Sequence, residues 1–288
     1  MGFAQFIKER QYLHNVSPAT IAWYTHNFKW LPSASPSKAE LQAMVIRMRE
    51  KGLRATGCNS AIQAINVYLH WQAKGSEVKC GVGCDHLRVA KLKEPELILP
   101  TFTLAQVTLL TRHKPKGKYQ TRLHVIVLML LDTGCRIDEV LTLRVQDVDF
   151  DNLLLTVTGK GRKQRRIPFS YELRKVLCRY AADRQGLLFA TRHGKKLGRR
   201  NVLRDVKLLC KRLGFNPPVR TLHAMRHTFA VNYLRRGGSV FHLQKVLGHS
   251  TLEMTRRYAN LMTEDLQLIH QKVSLLAADT LRRDRMLS

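Results

Sequence analysis

Six side chains in the second half of the chain carry the functional groups that phosphoryl transfer requires. That reaction needs cations against the phosphoryl oxygens, a proton donor for the leaving oxygen and a nucleophile, all held in a fixed geometry. Guanidinium, ammonium, imidazole and phenol groups can fill these roles. The candidate residues that bear them are Arg136, Lys160, His223, Arg226, His249 and Tyr258.

Arg136 is the first candidate, and Glu139 follows it by three residues. On a helix this spacing puts both side chains on one face, where the carboxylate can orient the guanidinium. The same spacing is typical of surface ion pairs, which contribute little to stability. The pair alone therefore leaves a functional and a structural interpretation open.

Lys160 lies at the tip of a predicted hairpin, between Gly159 and Gly161. A basic turn of this kind can reach a phosphate backbone, but basic hairpin tips are also commonly solvated. The sequence has no G-x-x-x-x-G-K-[ST] loop that would make the turn a nucleotide-binding P-loop. Lys160 is therefore a candidate only in the company of the other residues.

His223 and Arg226 are one helical turn apart, so an imidazole and a guanidinium share a face. His249 stands beside a predicted helix start, with Ser250 as its cap, and Tyr258 follows nine residues after His249. Each has an ordinary alternative: a basic, solvated helix start, or a tyrosine in the core. A phenol with a pKa of about 10 needs neighbouring cations to act as a nucleophile.

In identity, order and spacing these residues resemble the active-site signature of the tyrosine recombinases, the phage integrase family. The surrounding sequence carries the resemblance in three places: Thr-Gly-x-Arg-x-x-Glu at 133–139, His-x-x-Arg-His-Thr-Phe-Ala at 223–230, and Leu-Gly-His-Ser-x-x-x-x-Thr-x-x-Tyr at 247–258. The match is strong over residues 101–270. Residues 1–90 are similar only as a short helical bundle like the family's core-binding domain, and Asp138 replaces a residue that is small in many members.

The resemblance implies a site-specific recombinase that cleaves and rejoins duplex DNA. Tyr258 would attack the scissile phosphodiester and form a 3′-phosphotyrosyl intermediate, while Lys160 would protonate the departing 5′-oxygen. The freed 5′-hydroxyl would later attack a partner strand. The resemblance also implies a homo-tetramer on the DNA and leaves open whether accessory DNA-bending proteins take part.

The same resemblance assigns the remaining residues. Arg136 and Arg226 would clamp the non-bridging oxygens, and His223 and His249 would assist by proton transfer and hydrogen bonding. Glu139 would support the cluster from behind. Because cations take the place of metal ions, neither a metal nor any other cofactor is expected.

The elements that must position these residues can be read from caps and periodicity. Ser17-Pro18 predicts one helix start, and Ser37 with Glu40 predicts another through a capping box. A third helix is expected to end near Gly75, which makes residues 1–75 all-helical. We expect a helical domain over 1–88, an extended linker over 89–101 and a catalytic domain over 102–288.

The catalytic domain is predicted to be mainly α-helical with a small antiparallel sheet, an α+β domain. Short β-branched or apolar segments separated by turns predict three strands, at 148–150, 153–158 and 164–168. A last helix at 264–277 has an apolar stripe, which would pack on its own domain or dock into a neighbouring subunit. The other predicted helices are 104–110, 123–132, one from 138, one from 170, 199–213, 224–235, 240–247 and 251–259.

The charge of the chain indicates its partner. Its 288 residues include 49 Lys and Arg against 21 Asp and Glu, a formal net charge of +28. Such a field attracts polyanions, so nucleic acid is the expected partner and an anionic membrane surface the weaker alternative. Residues 160–220 alone hold 19 basic and 3 acidic side chains, which predicts DNA binding that weakens steeply with salt.

Composition also argues against several other classes of protein. The longest apolar run, residues 125–131, is far shorter than the roughly 20 residues of a membrane-spanning helix. Charged residues interrupt the apolar N-terminus, so a secretory signal is not expected and a cytoplasmic, nucleoid-associated location is. Cys80, Cys84 and His86 are too few for a zinc site of ordinary spacing, and free thiols are expected.

Two other functions compete with recombination. A type IB topoisomerase uses similar residues but relaxes DNA as a monomer, and the chain's size and motifs favour a recombinase. A DNA-binding regulator without activity is the second alternative. The complete set of candidate residues argues against it, because binding alone needs no such set.

Overall fold

The computed structural model describes residues 2–75, 87–94, 99–159, 164–249, 251–259 and 270. The chain divides into two compact units, Met1–Leu97 and Ile98–Ser288. Several predicted features lie outside the described residues: Lys160, the cap Ser250, the cysteine and histidine group at 80–86, and all but one residue of the helix at 264–277.

Among its described residues, the first unit is a bundle of four α-helices: α1 (Phe3–Tyr12), α2 (Pro18–Asn27), α3 (Lys38–Glu50) and α4 (Ala55–Gly75). The two predicted helix starts are confirmed. The Ser17 hydroxyl accepts a hydrogen bond from the Thr20 N–H, and Ser37 and Glu40 form the reciprocal capping box. The core that these helices enclose contains Phe6, Tyr24, Phe28, Leu41, Met44, Met48, Ile62, Ile65 and Tyr68.

Residues 87–94, which fall mostly within the predicted linker, are held on this bundle. The Asn66 side chain pairs with both backbone groups of Val89, donating at 2.9 Å and accepting at 3.0 Å. Asn59 pairs with Leu92 in the same way, at 2.9 and 2.8 Å. Two α4 side chains therefore satisfy the backbone of an extended segment that lacks a strand partner.

The second unit has eight helices among its described residues, wrapped around a three-stranded sheet. The strands are β1 (Val148–Asp149), β2 (Leu154–Thr158) and β3 (Gln164–Pro168), antiparallel in the order β1-β2-β3, with Leu155 opposite both Val148 and Ile167. The predicted fold class, mainly helical with a small antiparallel sheet, is confirmed. The helices are α5 (Leu104–Arg112), α6 (Gly117–Thr133), α7 (Ile137–Thr142), α8 (Tyr171–Ala181), α9 (Arg199–Arg212), α10 (Thr221–Arg235), α11 (Val240–Leu247) and α12 (Glu253–Ala259).

Two hydrophobic cores lie inside the second unit. The larger joins the sheet to α6 through α9 and includes Leu222, Ala224 and Met225 from the first half of α10. The smaller consists of Ala230, Val231 and Leu234 from the second half of α10, Leu243 and Leu247 from α11, and Tyr258 from α12. Because α10 takes part in both cores, it holds the α11–α12 pair against the main body of the unit.

No helix among the described residues combines the length and apolar character that crossing a membrane requires.

Candidate active site

Arg136 lies at the junction between α6 and α7. Helix α6 ends at Gly134, whose φ of +62° is left-handed and whose added Cβ would collide with the Phe229 ring. Arg136 then caps α7: its backbone N–H donates to Glu139 Oε2 at 2.8 Å and its Nη1 donates to Glu139 Oε1 at 3.0 Å. The predicted pairing of these two residues is therefore present, and Glu139 supports both the backbone and the guanidinium of Arg136.

The pair of Arg136 and Glu139 is not an ordinary surface ion pair, because the Glu139 side chain is only 5% exposed. Its second partner is Arg165 on β3, which donates from Nη1 to Oε1 at 2.8 Å and from Nη2 to Oε2 at 3.0 Å. Burial alone would raise the pKa of Glu139, but the donors on Arg165 and Arg136 outweigh it and hold the pKa below its usual value. The carboxylate stays ionised and binds two guanidinium groups.

The last carbonyl groups of α11 bind two arginines, and the carbonyl of the capping residue Gly248 lies near a third. Val246 O accepts from Arg165 Nε at 3.0 Å and Leu247 O accepts from Arg226 Nη2 at 2.7 Å. Gly248 O lies 3.5 Å from Arg136 Nη2, a long contact at the limit of a hydrogen bond. Carbonyl groups at a helix C-terminus lack partners within the helix and carry the negative end of its dipole, which suits cationic donors.

Arg226, on α10, is the most enclosed cation of the site, with 5% of the residue exposed. Besides Leu247 O, it donates from Nη1 to Gly134 O at 2.8 Å. Burial, and then the nearby Arg136, lower the pKa of Arg226 to about 10, so the guanidinium remains charged at neutral pH. Arg226 therefore joins the end of α6 to the end of α11.

His249 lies next to Arg226, with its Nε2 3.1 Å from Arg226 Nη2 and its Nδ1 2.9 Å from Thr255 Oγ1. Because the guanidinium can only donate, Nε2 accepts and the proton of a neutral ring is on Nδ1, directed at Thr255. Burial, followed by the charges of Arg226 and Arg136, lowers the pKa of His249 to about 4. The ring is thus neutral and fixed in one tautomer.

Tyr258 completes the cluster from α12 and is 3% exposed. Its hydroxyl is 2.9 Å from His227 Nδ1, and its ring is nearly parallel to that of His249, with centroids 6.3 Å apart. The phenol therefore lies between the imidazole rings of His227 and His249.

His223 lies at the edge of this cluster and is exposed. Its Nε2 is 3.2 Å from Nη2 of Arg199, on α9. Burial of part of the ring, and then the charge of Arg199, lower the pKa of His223. Arg199 also forms an exposed ion pair with Asp138 at 3.5 Å. Asp138, the position at which this chain departs from the family pattern, therefore contacts the same arginine as His223.

The structure thus brings together Arg136, Glu139, Arg226, His249 and Tyr258, places His223 beside them, and leaves Lys160 outside the described residues. Sequence reasoning missed Arg165, His227, Arg199 and Thr255. The described residues include no group of three or more His, Cys, Asp or Glu side chains arranged to hold a metal ion.

Comparisons with known proteins agree with this geometry. The model of the family described as "Phage integrase family" matches residues 101–265. Tyrosine recombinase XerA of Pyrococcus furiosus is 30% identical over 92% of this chain and 91% of its own length, and tyrosine recombinase XerC of Chromobacterium violaceum is 26% identical over 88% of each. The structure of the Tn1549 transposon integrase in complex with transposon right end DNA has a similar fold, with a TM-score of 0.73 at 20% identity, covering 93% of this chain and 100% of the integrase chain.

Proposed function

This chain belongs to the phage integrase family and is a site-specific tyrosine recombinase, an enzyme that cleaves and rejoins DNA; we propose that Tyr258 is its nucleophile. The observation that carries the proposal is the position of Tyr258, whose ring lies parallel to that of His249 while His249 is hydrogen-bonded to Arg226. A phenol needs a cation close by to act as a nucleophile at neutral pH, and the Arg226 guanidinium is near enough to interact electrostatically with Tyr258.

In the proposed cleavage step the Tyr258 oxygen bonds to phosphorus while the bond from phosphorus to the 5′-oxygen breaks. The products are a 3′-phosphotyrosyl link and a free 5′-hydroxyl. Lys160 forms this hydroxyl by donating a proton to the leaving 5′-oxygen. Rejoining reverses these events when a 5′-hydroxyl of a partner strand attacks the link. The energy of the broken phosphodiester is kept in the intermediate.

Arg136 and Arg226 are proposed to bind the non-bridging oxygens of the scissile phosphate. Their positions are fixed beforehand by Glu139 and by the carbonyls of Gly134 and Leu247. Cations held in place before the reaction stabilise developing charge without reorganising during it, which makes such groups effective in catalysis.

His249 is proposed to hold Arg226 in position as a neutral ring, since its pKa is lowered to about 4: Nε2 accepts from the Arg226 guanidinium while Nδ1 donates to Thr255. His223 lies on the Arg199 side of the cluster, and we assign it a hydrogen bond to the DNA phosphate. Glu139 contacts no reacting atom in this scheme and acts through Arg136.

The proposed substrate is duplex DNA bound by several copies of this chain. Support comes from the charge of +28 and from the relatives' structures solved with DNA, among them a XerH recombinase bound to difH substrate and a lambda integrase dimer bound to a core site. We propose a homo-tetramer, because strand exchange joins two duplexes that are each cut on both strands, and a location with the DNA of the cytoplasm. The relatives found are recombinases and integrases, which favours recombination over relaxation by a topoisomerase.

The test is covalent trapping on a nicked duplex whose cleaved end diffuses away. Tyr258→Phe should bind this DNA as tightly as the parent protein and form no covalent complex, because the ring still packs while the nucleophilic oxygen is gone. Tyr233→Phe is the matched control, since it removes a hydroxyl from a side chain packed on the same small core; it should still form the complex. An adduct in Tyr258→Phe, or a phosphotyrosine mapped elsewhere in the parent, would assign the nucleophile to another residue.

A further inference from the structure

We infer that His227 is the base that takes the proton from Tyr258 as the phenol attacks phosphorus. This inference rests on the proposed role of Tyr258 and adds a catalytic residue to it. The contact that carries it is the 2.9 Å separation between His227 Nδ1 and the Tyr258 hydroxyl oxygen.

The local fold holds the two groups together. His227 is on α10, directly after the phosphate-binding Arg226, and Tyr258 is on α12, which packs against α10. Their ring centroids are 5.7 Å apart with the planes inclined at 46°, so the rings meet at an angle rather than stack. The phenol is the more acidic of the two neutral groups, so the hydroxyl donates and Nδ1 accepts.

The other two histidines of the site face different partners. His249 has Arg226 at Nε2 and Thr255 at Nδ1, and His223 has Arg199 at Nε2. His249 therefore has both ring nitrogens engaged, with its lone pair directed at a cation. His227 presents a ring nitrogen to the oxygen that must lose its proton, at the distance that general base catalysis requires.

The charges around His227 decide when it is a useful base. Burial, and then His223 and Arg226 on its own helix and Arg220 just before it, lower the pKa of His227 to about 4, so the ring is neutral at neutral pH. His249 and Tyr258 face it from the α11–α12 side. A phosphate bound to Arg226 and Arg136 adds negative charge beside these cations, which raises the pKa of the imidazole toward its ordinary value of about 6.5. The base is therefore stronger once DNA occupies the site.

The proton balance closes over the whole cycle. During cleavage the proton of Tyr258 moves to His227 Nδ1, the tyrosine oxygen bonds to phosphorus, and the 5′-oxygen leaves with a proton from Lys160. During rejoining the attacking 5′-hydroxyl returns its proton to Lys160, and the imidazolium of His227 returns its proton to the departing phenolate. No co-reactant is needed, and both groups end in their starting states.

The experiment measures the rate of covalent-complex formation against pH with His227→Asn, in single turnover at saturating protein. Asparagine still hydrogen-bonds but cannot take a proton. The substrate carries a 5′-bridging sulfur, a leaving group that hardly needs protonation, so titration of Lys160 does not affect the profile. The parent protein should show a flat rate above about pH 6.5 that falls toward acid as His227 is protonated.

His227→Asn should be slower at pH 7 by about 10²-fold or more, the usual contribution of a general base, and its rate should rise about tenfold per pH unit toward the pKa of tyrosine. Replacing the sulfur by the natural oxygen should not widen this defect, whereas Lys160→Ala should be rescued by sulfur. DNA affinity should be unchanged. His242→Asn, the same change at an exposed histidine on α11, is the matched control and should retain the parent profile.

Three results would overturn the inference. A faster His227→Asn would show that the hydrogen bond restrains Tyr258, a uniform loss without a new pH slope would make His227 structural, and an unchanged rate would remove it from the step. A His227→Gln variant gives the same comparison where Asn alters folding. Failure here leaves the trapping result for Tyr258→Phe intact, so the two proposals are judged separately.

Discussion

Glu139 is the residue on which the cation arrangement depends most. Its carboxylate binds the guanidinium of Arg136, which belongs to the proposed phosphate site, and that of Arg165, which does not. A buried carboxylate between two arginines is far more costly to break than an exposed pair, because each cation loses its compensation inside the protein. Arg165 thus fixes Glu139, and Glu139 fixes Arg136.

Glu139→Gln should lower the free energy of unfolding of the second unit by about 3 kcal/mol at pH 7. Since the pKa of Glu139 is depressed in the folded state, this stabilisation is fully present above its ordinary value of 4.5 and is lost as pH falls through the lower folded pKa. The difference between parent and variant should therefore be constant above about pH 5 and shrink below pH 4.5. Urea unfolding followed by far-UV circular dichroism measures it.

Two controls belong to this measurement. The three tryptophans all lie in the first unit, at 23, 30 and 71, so tryptophan fluorescence should report an unfolding transition that the substitution leaves unchanged. Asp183→Asn changes an exposed carboxylate on the same unit and should have no effect at any pH. A Glu139→Gln difference that persists undiminished at pH 3 would contradict the proposed role of the ionised carboxylate.

The residues that sequence reasoning missed differ in how much signal they carried. Arg165 alternates with Ile167 on β3 and therefore shares its inward face, so an arginine at that position needed a buried partner. His227 is a fixed position of the motif at 223–230, but the motif gave it no role, because its contact with Tyr258 joins two helices whose packing the sequence does not specify. Order and spacing identified the candidate set, but only the fold shows which ring nitrogen faces which atom.

At the scale of elements, α11 is short but anchors Arg165 and Arg226 through its last carbonyls. The helix ends at Gly248, which adopts the left-handed φ of +65° and so leaves those carbonyls directed outward. An added Cβ at Gly248 would lie 2.9 Å from Arg165 Nε. This glycine is required both for its backbone conformation and for the approach of Arg165.

Gly248→Ala should therefore slow cleavage at least tenfold and destabilise the second unit by more than the ~1 kcal/mol that a left-handed alanine costs. Gly214→Ala is the matched control: Gly214 has a φ of +84°, but nothing lies within 4 Å of its added Cβ. It should show the backbone cost and normal cleavage. The measurements are the rate of covalent trapping and the free energy of urea unfolding for both variants. Equal losses of cleavage rate in Gly248→Ala and Gly214→Ala would show that the crowding of Arg165 does not matter for cleavage.

The elements themselves were largely predictable where caps are encoded locally. The Ser17 and Ser37 helix starts and the three strands agree with expectation, because side-chain caps and alternation are short-range signals. Helix α10 begins at Thr221, three residues before the predicted start, since Arg220 turns the chain with a left-handed φ of +57° that its residue type does not suggest. Helix α7, Ile137–Thr142, begins one residue before the predicted start at 138, because Glu139 caps it from its own first turn by accepting from the Arg136 N–H.

At the scale of the whole molecule, the proposed nucleophile Tyr258 contacts His227 and interacts electrostatically with Arg226 of its own chain. Mixing Tyr258→Phe subunits with Arg226→Ala subunits should therefore not restore cleavage, because no subunit in the mixture carries both groups. Parent protein mixed with Tyr258→Phe should retain cleavage in proportion to its fraction. Recovery to a substantial fraction of the parent rate in the first mixture would mean that Tyr258 acts in a neighbour's site. Covalent trapping on a full recombination site provides the measurement.

The division of the second unit into two cores determines how the enzyme would lose activity when part of the unit opens. The smaller core holds Tyr258 itself and the helix whose final carbonyls position Arg165 and Arg226. Regions with few buried contacts open locally before a domain unfolds, and such an opening here would move the proposed nucleophile, Tyr258, away from the arginines and break the arginines' contacts with α11 in one event. A partly damaged protein would then have lost the means to cut at the same moment as the means to rejoin.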